Sequence, residues 1–325
     1  YWLNMVTTTM KNSLLVVYNT CGLSGKENSE WYIKSVRSIL AQDHENFHVV
    51  ISSCCNTQLT RQRLEEEFGD EVSYCYLDAV VPVNISSNFA VIETVKAMGE
   101  FSGYVYVDSG MNFENQTGVL SKAHKELIEN DYGLLSIQAS NDNGFKAWLG
   151  FDGPIVDQNF VIPPGRACNS HIHLFPNEFY KAYNDRLHPD IFVAYCTEST
   201  FSFFAAGIGK RWAILKDIIV YHDRGIDGAS SGFDHTGPRR NPANNLLCGL
   251  DIVDILRRPD AWTSGFGYEE ISGVFVHNPG MYDELGNHKK PELLRKFLND
   301  TMFLREEMFS YSQFDTSRFV RGRNT

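Results

Sequence analysis

Short apolar runs alternate with helical patterns along the first third of the chain. Leu14–Tyr18 and Phe47–Ile51 are apolar runs typical of buried strands, and apolar residues recur at helical spacing from Trp31 to Gln42. The alternation continues with a helix from about Thr60 to Phe68, a strand near Val72–Leu77, a helix from about Asn88 to Glu100 and a strand over Gly103–Val107. This order predicts βαβ units and an open α/β sheet flanked by helices.

The residues after the last of these strands are the most informative in the chain. Asp108 comes directly after Val107, and the small residues Ser109 and Gly110 follow it. Ligands of open α/β sheets bind at the carboxyl ends of the strands, and small residues let them approach closely. A carboxylate at this point can hold a divalent ion that neutralises a diphosphate. The alternative is an ordinary loop-capping aspartate.

Other strands also end in polar residues, as expected where a nucleotide crosses the edge of a sheet. The residues predicted to contact the nucleotide are Asn19, Thr20, Ser53, Asn88, Asp108 and Ser109. The later apolar run Asp217–Tyr221 ends at His222, and imidazole is a good ligand for Mn2+. We therefore expect a divalent ion, Mn2+ or Mg2+, held by Asp108 and His222, against the alternative that His222 is structural.

These residues resemble the nucleotide-sugar glycosyltransferases of GT-A fold, especially the family-two type. Ser35–Gln42 is similar to the first-helix segment of that family, and Val105–Gly110 stands where the family has its strand-terminal Asp-x-Asp. The resemblance implies a Rossmann-type open mixed sheet and a nucleoside-diphosphate sugar donor carrying UDP or GDP. Gly110 replaces the second acid of the motif. Ser52 and Ser53 replace the usual acidic pair of the second strand, which leaves hydroxyls to recognise the base.

A lone acid precedes an apolar, helix-like run in the second half of the chain. Glu198 lies just before Phe201–Ala206, where the helix dipole favours a carboxylate that can act as a general base. The alternative is a helix-capping glutamate. In family-two transferases an acid in this position takes the proton from the acceptor hydroxyl, and the resemblance carries that role to Glu198. The expected enzyme is a hexosyl- or pentosyltransferase that inverts the configuration at the anomeric carbon and modifies a hydroxyl, as on a glycan.

Four more residues are predicted to contact the acceptor or to belong to a lid. Trp148 can offer a ring face to a sugar, and His171 and His173 concentrate hydrogen-bonding groups. As a His-x-His pair they suggest a metal site, but no third ligand is evident. Arg224 precedes the glycine- and serine-rich segment 225–237, which has the composition of a lid. The alternatives are core packing for Trp148, support of the fold for the histidines and a plain surface loop for the segment.

Composition excludes several other classes of protein. The 325 residues are 43% hydrophobic and carry a net charge of −11, which allows a large core and argues against nucleic-acid binding. The sequence lacks an apolar run of about 18 residues, so we expect no membrane span. The seven cysteines have no zinc-ribbon spacing and read as reduced thiols. We expect a cytoplasmic protein that is at most peripheral to a membrane.

The chain is predicted to form a catalytic domain and an extension. The predicted divisions are a catalytic domain over 1–240, with a nucleotide-binding half over 1–113 and an acceptor-binding half over 114–240, and a mainly helical C-terminal extension over 241–325. Amphipathic patterns predict helices at Cys248–Leu256 and Leu293–Met308, with a glycine-rich aromatic stretch between them. The extension is expected to pack on the catalytic domain or on a second subunit in a homo-oligomer, against the alternative of a helix that lies on a membrane surface.

Two other functions compete with glycosyl transfer. A catalytically silent nucleotide-sugar-binding protein is the reading that Gly110 supports best. A sugar-phosphate nucleotidyltransferase is the other, but the early glycine-rich phosphate loop of that class is absent from this sequence.

Overall fold

The computed structural model describes residues 10–21, 29–54, 57–77, 83–114, 116–140, 160–162, 171–188, 201, 204–222, 268–271, 274–277 and 289–302. The first half comprises β1 (Met10–Cys21), α1 (Ser29–Leu40), β2 (Phe47–Cys54), α2 (Gln58–Phe68), β3 (Ser73–Leu77), α3 (Val83–Met98), β4 (Phe101–Val107), β5 (Met111–Asn112), α4 (Val119–Glu129) and β6 (Tyr132–Ser140). The second half comprises β7 (Phe160–Ile162), β8 (Ile172–Pro176), α5 (Asn177–Ala182), β9 (Arg211–His222), β10 (Tyr268–Ile271), β11 (Val274–His277) and α6 (Pro291–Met302).

The alternation of strands and helices predicted from the first third of the chain is confirmed. Helix α3 begins at Val83, five residues before the predicted start at Asn88. The strand predicted at Asp217–Tyr221 is the second half of the longer β9, which ends at His222. Of the two predicted C-terminal helices, α6 confirms the second from Pro291 to Met302, while Cys248–Leu256 lies outside the described residues.

The described strands form one large mixed sheet in the order β3-β2-β1-β4-β8-β6-β9-β5, with β7 paired to β9. Neighbours among β3, β2, β1 and β4 are parallel, and so are β6 and β9. Strand β8 runs antiparallel to both β4 and β6. The carboxyl ends of the parallel strands and the amino end of β8 therefore lie along the same edge of the sheet.

Helices cover both faces of the sheet, each over its own apolar core. One core contains side chains of α1, α2 and α4, among them Val36, Leu64 and Leu120. The other contains side chains of α3, α5 and α6, among them Phe89 and Phe179. Alternate residues of each strand point to opposite faces, so the strands are buried on both sides and read as apolar runs.

Helix α6 contributes to the second of these cores. Leu294 and Leu298 of α6 are each 2% exposed and belong to it. The Asn299 side chain donates a hydrogen bond to the Ala182 carbonyl at 2.9 Å. Strands β10 and β11 form an antiparallel pair in the glycine-rich, aromatic stretch between the two predicted C-terminal helices. None of the helices in the described ranges is both long and apolar enough to cross a bilayer.

Candidate active site

The carboxyl edge of the sheet gathers polar residues from neighbouring strands. In register, Asn19 of β1 pairs with Ser52 of β2, and Ser52 pairs with Cys75 of β3. On the other side of β1, Tyr18 pairs with Val107, so Asp108 follows next to Asn19. The parallel arrangement thus places the ends of three apolar runs side by side, because each run ends at the same level of the sheet.

Asp108 is the centre of a hydrogen-bonded cluster at this edge. One carboxylate oxygen accepts a bond from the Tyr106 hydroxyl. The other lies 2.8 Å from His171 Nδ1, and the Asp108 amide donates to the His171 carbonyl at 3.0 Å. The side chains of Asp108 and His171 are 29% and 25% exposed. The pair is therefore joined by two hydrogen bonds next to the ends of β4 and β8 and remains partly exposed to solvent.

The charge state of Asp108 follows from these contacts. Burial alone would raise the pKa of its carboxyl, but the hydrogen bonds from His171 and Tyr106, with the charges of His171 and His222, hold the pKa below its ordinary value. Asp108 is consequently an anion at neutral pH.

His222 joins the same cluster from the end of β9. Its ring centroid lies 4.4 Å from that of His171, and β9 pairs its last residue with Met111 of β5, just past Asp108. No group of three or more histidine, cysteine or acidic side chains in the described ranges is placed to hold a metal ion. The anionic Asp108 and the imidazole of His222 suit a divalent ion that completes its coordination with diphosphate oxygens.

Gly110 has a structural reason to replace the second acid of the motif. Its φ is +82°, in the left-handed region where a side chain is strained. Its amide donates to the Tyr18 hydroxyl at 3.3 Å, which fixes the turn between β4 and β5. The left-handed backbone of this turn therefore favours glycine at the position of the motif's second acid.

The residues predicted to contact the nucleotide are held firmly by the protein. The Asn19 amide donates to the Val107 carbonyl at 3.4 Å, and its oxygen accepts from Ser87 of α3 at 2.6 Å. The Thr20 hydroxyl donates to the Ser52 carbonyl at 3.3 Å. Thr20 is 2% exposed and Ser53 0%. In these positions they stabilise the strand ends from which a nucleotide would be bound.

Asn88 and Ser109 occupy different environments. Asn88 is fully buried in α3, and its side chain accepts from the amides of Leu187 and His188 and donates to the His188 carbonyl at 2.8 Å. It thus fixes the residues that follow α5. Ser109 is half-buried beside Asp108, at the edge predicted to bind the donor.

The structure is similar to solved structures of the S. aureus protein TarS and of the mannosyltransferase PcManGT from Pyrobaculum calidifontis. TarS 1–349 in complex with UDP-GlcNAc is 19% identical, with a TM-score of 0.51 over 76% of this chain and 67% of that chain. TarS 1–349 in another crystal structure is 21% identical, with a TM-score of 0.46 over 64% of this chain and 60% of that chain. This chain thus spans less than two thirds of that TarS fragment. PcManGT, solved with GDP-Man and Mn2+, is 14% identical, with a TM-score of 0.47 over 66% of this chain and 58% of that chain.

The chain has the GT-A fold. The fold resemblance inferred from the first-helix segment and from Asp108 is thereby confirmed. No protein-family model matches the chain, and no curated protein matches its sequence.

Within the GT-A sheet, the predicted acceptor and lid residues separate. His171 belongs to the Asp108 cluster. His173 is 1% exposed, its Nδ1 lies 2.7 Å from the Ser136 hydroxyl, and it packs edge-on against Phe201, so the structure places it in the core. The other predicted residues, Glu198, Trp148 and Arg224, lie outside the described residues.

Three residues of this region were not predicted from the sequence. Tyr106 binds Asp108 through its hydroxyl, and the period-two alternation of β4 could have shown that both side chains lie on one face. His188 is 3% exposed within an aromatic cluster, and neither ring nitrogen has a hydrogen-bond partner among the described residues. Gln138 of β6 is also 3% exposed, and its Nε2 lacks a partner there too. No local sequence signal marks His188 or Gln138.

Proposed function

We propose that the protein is a glycosyltransferase that uses a nucleoside-diphosphate sugar. The observation that carries this proposal is the Asp108–His171–His222 cluster at the carboxyl edge of a GT-A sheet. This edge is the binding crevice of open α/β folds. It presents one carboxylate and two imidazoles, the set of groups that suits a diphosphate with its counter-ion. UDP-GlcNAc is the ligand of the TarS structure with the higher TM-score, which makes UDP-sugars the first donors to test.

The diphosphate is proposed to bind beside Asp108, and the nucleoside beside the ends of β1 and β2. Asp108 and His222 would hold a divalent ion, which neutralises charge on the departing diphosphate when it is bound. His171 orients the Asp108 carboxylate through its Nδ1 hydrogen bond. Asn19 and Thr20 hold the strand end against which the nucleoside lies. Ser53 is fully buried and is proposed to support the end of β2 beside which the base lies.

For the chemical step we propose inverting, in-line displacement. Glu198 takes the proton of the acceptor hydroxyl as that oxygen attacks the anomeric carbon, and the bond from this carbon to the diphosphate oxygen breaks. The assignment rests on the sequence position of Glu198 before an apolar run and on the family resemblance. The proposed acceptor is a hydroxyl of a glycan, and the enzyme is a hexosyl- or pentosyltransferase. Retention of anomeric configuration in the product, measured by NMR, would contradict the inverting mechanism.

Donor binding is tested by calorimetry with UDP and GDP, each with Mn2+ and with a chelator. We expect Mn2+ to tighten binding of one of them and Asp108→Asn to reduce that gain by about tenfold or more. Asp185→Asn is the matched control, because Asp185 is exposed after α5 and its carboxylate pairs only with Lys181 among the described residues. Equal affinity with and without chelator would refute the metal-dependent form. Absence of binding to any nucleotide would refute the function.

A silent nucleotide-sugar-binding protein is the second candidate, and Gly110 favours it. The glycine removes one acid that the family uses at the metal. A protein of this kind would bind the nucleotide but transfer no sugar across a broad panel of donors and acceptors.

The two-domain division, a homo-oligomer and a cytoplasmic location remain predictions. They are tested by limited proteolysis, light scattering and localisation of the protein in cells.

A further inference from the structure

The row of residues that begins at Asp108 continues across two more strands. Val107 pairs with Ile172 of β8, and Ile172 pairs with Ile137 of β6. One step further, Asp108 lies beside His171, as their backbone hydrogen bond of 3.0 Å shows, and Gln138 is the corresponding residue of β6. Neighbouring strands lie about 4.8 Å apart, so β6 is about 10 Å from β4 along this edge.

Gln138 lies on the same face of the sheet as the Asp108 cluster. It follows Ser136 by two residues, and side chains two apart in a strand share a face. Ser136 bonds to His173 at 2.7 Å and accepts from Trp212 Nε1 at 2.9 Å. His173 is in turn two residues beyond His171. The side chains of β4, β8 and β6 therefore form two adjacent polar rows on this face, Tyr106–His173–Ser136 and Asp108–His171–Gln138.

The Gln138 side chain is buried without satisfying its donor. Gln138 is 3% exposed, and Nε2 has no hydrogen-bond partner among the described residues. An unsatisfied buried donor destabilises the folded protein, so such groups in native structures usually have a partner or a function. A ligand oxygen that reaches this end of the row would supply the missing partner.

We infer that Gln138 is a recognition residue for the sugar of the donor. This inference rests on the proposed function, in which the diphosphate binds beside Asp108 and the nucleoside lies toward β1 and β2. The sugar must then extend to the other side of Asp108, over β8 and toward β6. A neutral amide donor suits a hydroxyl or an acetamido carbonyl oxygen of the sugar. Gln138 therefore contributes to affinity for the sugar nucleotide and not to affinity for the free diphosphate.

The test separates these two affinities. The sugar nucleotide is chosen first: it is the one among UDP-glucose, UDP-GlcNAc and GDP-mannose that most raises the melting temperature of wild type. Calorimetry with Mn2+ then measures the affinity of wild type and of Gln138→Leu for this sugar nucleotide and for the corresponding free nucleoside diphosphate. We expect the variant to bind the sugar nucleotide about 5- to 20-fold more weakly. Its affinity for the free diphosphate should stay within about twofold of wild type, because the amide does not contact that group.

Stability supplies an independent measurement on the ligand-free protein. Because leucine has a similar volume and removes the unsatisfied donor, Gln138→Leu should melt about 1–3 °C higher than wild type. Gln42→Leu is the matched control at the end of α1. The Gln42 side chain donates to the carbonyls of Ser38 and Gln116 at 3.3 and 3.0 Å and accepts from the Val119 amide at 3.0 Å. Its loss should lower the melting temperature and leave the ratio of the two affinities unchanged.

Each outcome decides the matter. If Gln138→Leu weakens binding of the diphosphate and of the sugar nucleotide equally, or weakens binding of neither, the inference is wrong and the proposed function stands. A lower melting temperature or failure to fold would show that the amide supports the structure, which also overturns the inference. If wild type binds no nucleotide, the proposed function fails and the sugar site fails with it. Selective loss of the sugar nucleotide together with a higher melting temperature supports the inference.

Discussion

The buried histidine after α5 should make the protein sensitive to mild acid. Burial lowers the pKa of His188 from 6.5 to about 3, and the charge of His173 acts in the same direction. The charge of Asp108 opposes this shift but is the smallest of the three effects. The unfolded chain takes up a proton as the pH falls through 6.5, whereas the folded protein takes it up only near pH 3. Stability is therefore lost as the pH falls across this window. Between pH 7.5 and 5.0 the loss is about 2 kcal/mol.

His188→Phe tests this reasoning. The phenyl ring does not titrate, has no unsatisfied nitrogen and should pack against Tyr106 and Phe175, whose rings lie 4.5 and 5.8 Å from that of His188. In urea unfolding followed by tryptophan fluorescence, the variant should equal or exceed the stability of wild type at pH 7.5. Its loss on going to pH 5.0 should be smaller by about 2 kcal/mol. An equal acid loss in both proteins would show that His188 titrates normally, and the argument would be wrong.

A second buried histidine provides an independent test of the same reasoning. Burial and the charge of His44 lower the pKa of His124 to about 4. His124→Gln should therefore also reduce the acid loss by about 2 kcal/mol. It should differ from His188→Phe at pH 7.5, where it lowers stability. The reason is that His124 Nδ1 lies 2.9 Å from His44 Nε2, and His124 Nε2 lies 3.2 Å from the Ser102 hydroxyl.

Three further substitutions test separate parts of the molecule. Glu198→Gln should lower the rate of sugar transfer by about 10²-fold with unchanged donor affinity, as measured by product chromatography and calorimetry, and a wild-type rate would exclude Glu198 as the base. Gly133→Ala places a Cβ 2.9 Å from Lys210 Cβ and should cost about 1–3 kcal/mol in urea unfolding, a cost that unchanged stability would disprove. Trp212→Phe removes the 2.9 Å bond to Ser136 and should cost about 1–2 kcal/mol at pH 7.5, whereas a neutral result would mean that the hydroxyl finds another donor.

The strands and helices of the first third of the chain were predictable because their patterns are local. The apolar runs of β1, β2 and β4 show where these strands lie. Asp108 and His222 could be identified as well, because each follows or ends an apolar run. The first turn of α3 was not recognised, because Asn84, Ser86 and Ser87 look like loop residues in sequence. In the fold all three are buried, and Ser87 bonds to a strand end on β1.

The rest of the site depends on pairing between distant residues. Strand β8 contains His173, a polar residue that interrupts the apolar pattern in the sequence. In the fold its ring is satisfied by the hydroxyl of Ser136, which is 37 residues away. The contact of His171 with Asp108 joins residues 63 apart and depends on the antiparallel course of β8. Strand order and direction are not properties of either segment alone. For the same reason Gln138, at the end of the equally unrecognised β6, carried no signal in the sequence.

The reversed course of β8 has a consequence for directed evolution. Since this strand enters the sheet at the edge proposed to bind the donor and leaves it at the opposite edge, mutagenesis at its two ends samples different properties. A combinatorial library at His171 varies the surroundings of Asp108. A library at the solvent-facing positions of α5, such as Glu178, varies the far side of the molecule, where Lys210 is its ion-pair partner. Selection for new donors should therefore enrich changes at the amino end of β8, while selection for heat resistance should enrich changes just beyond its carboxyl end.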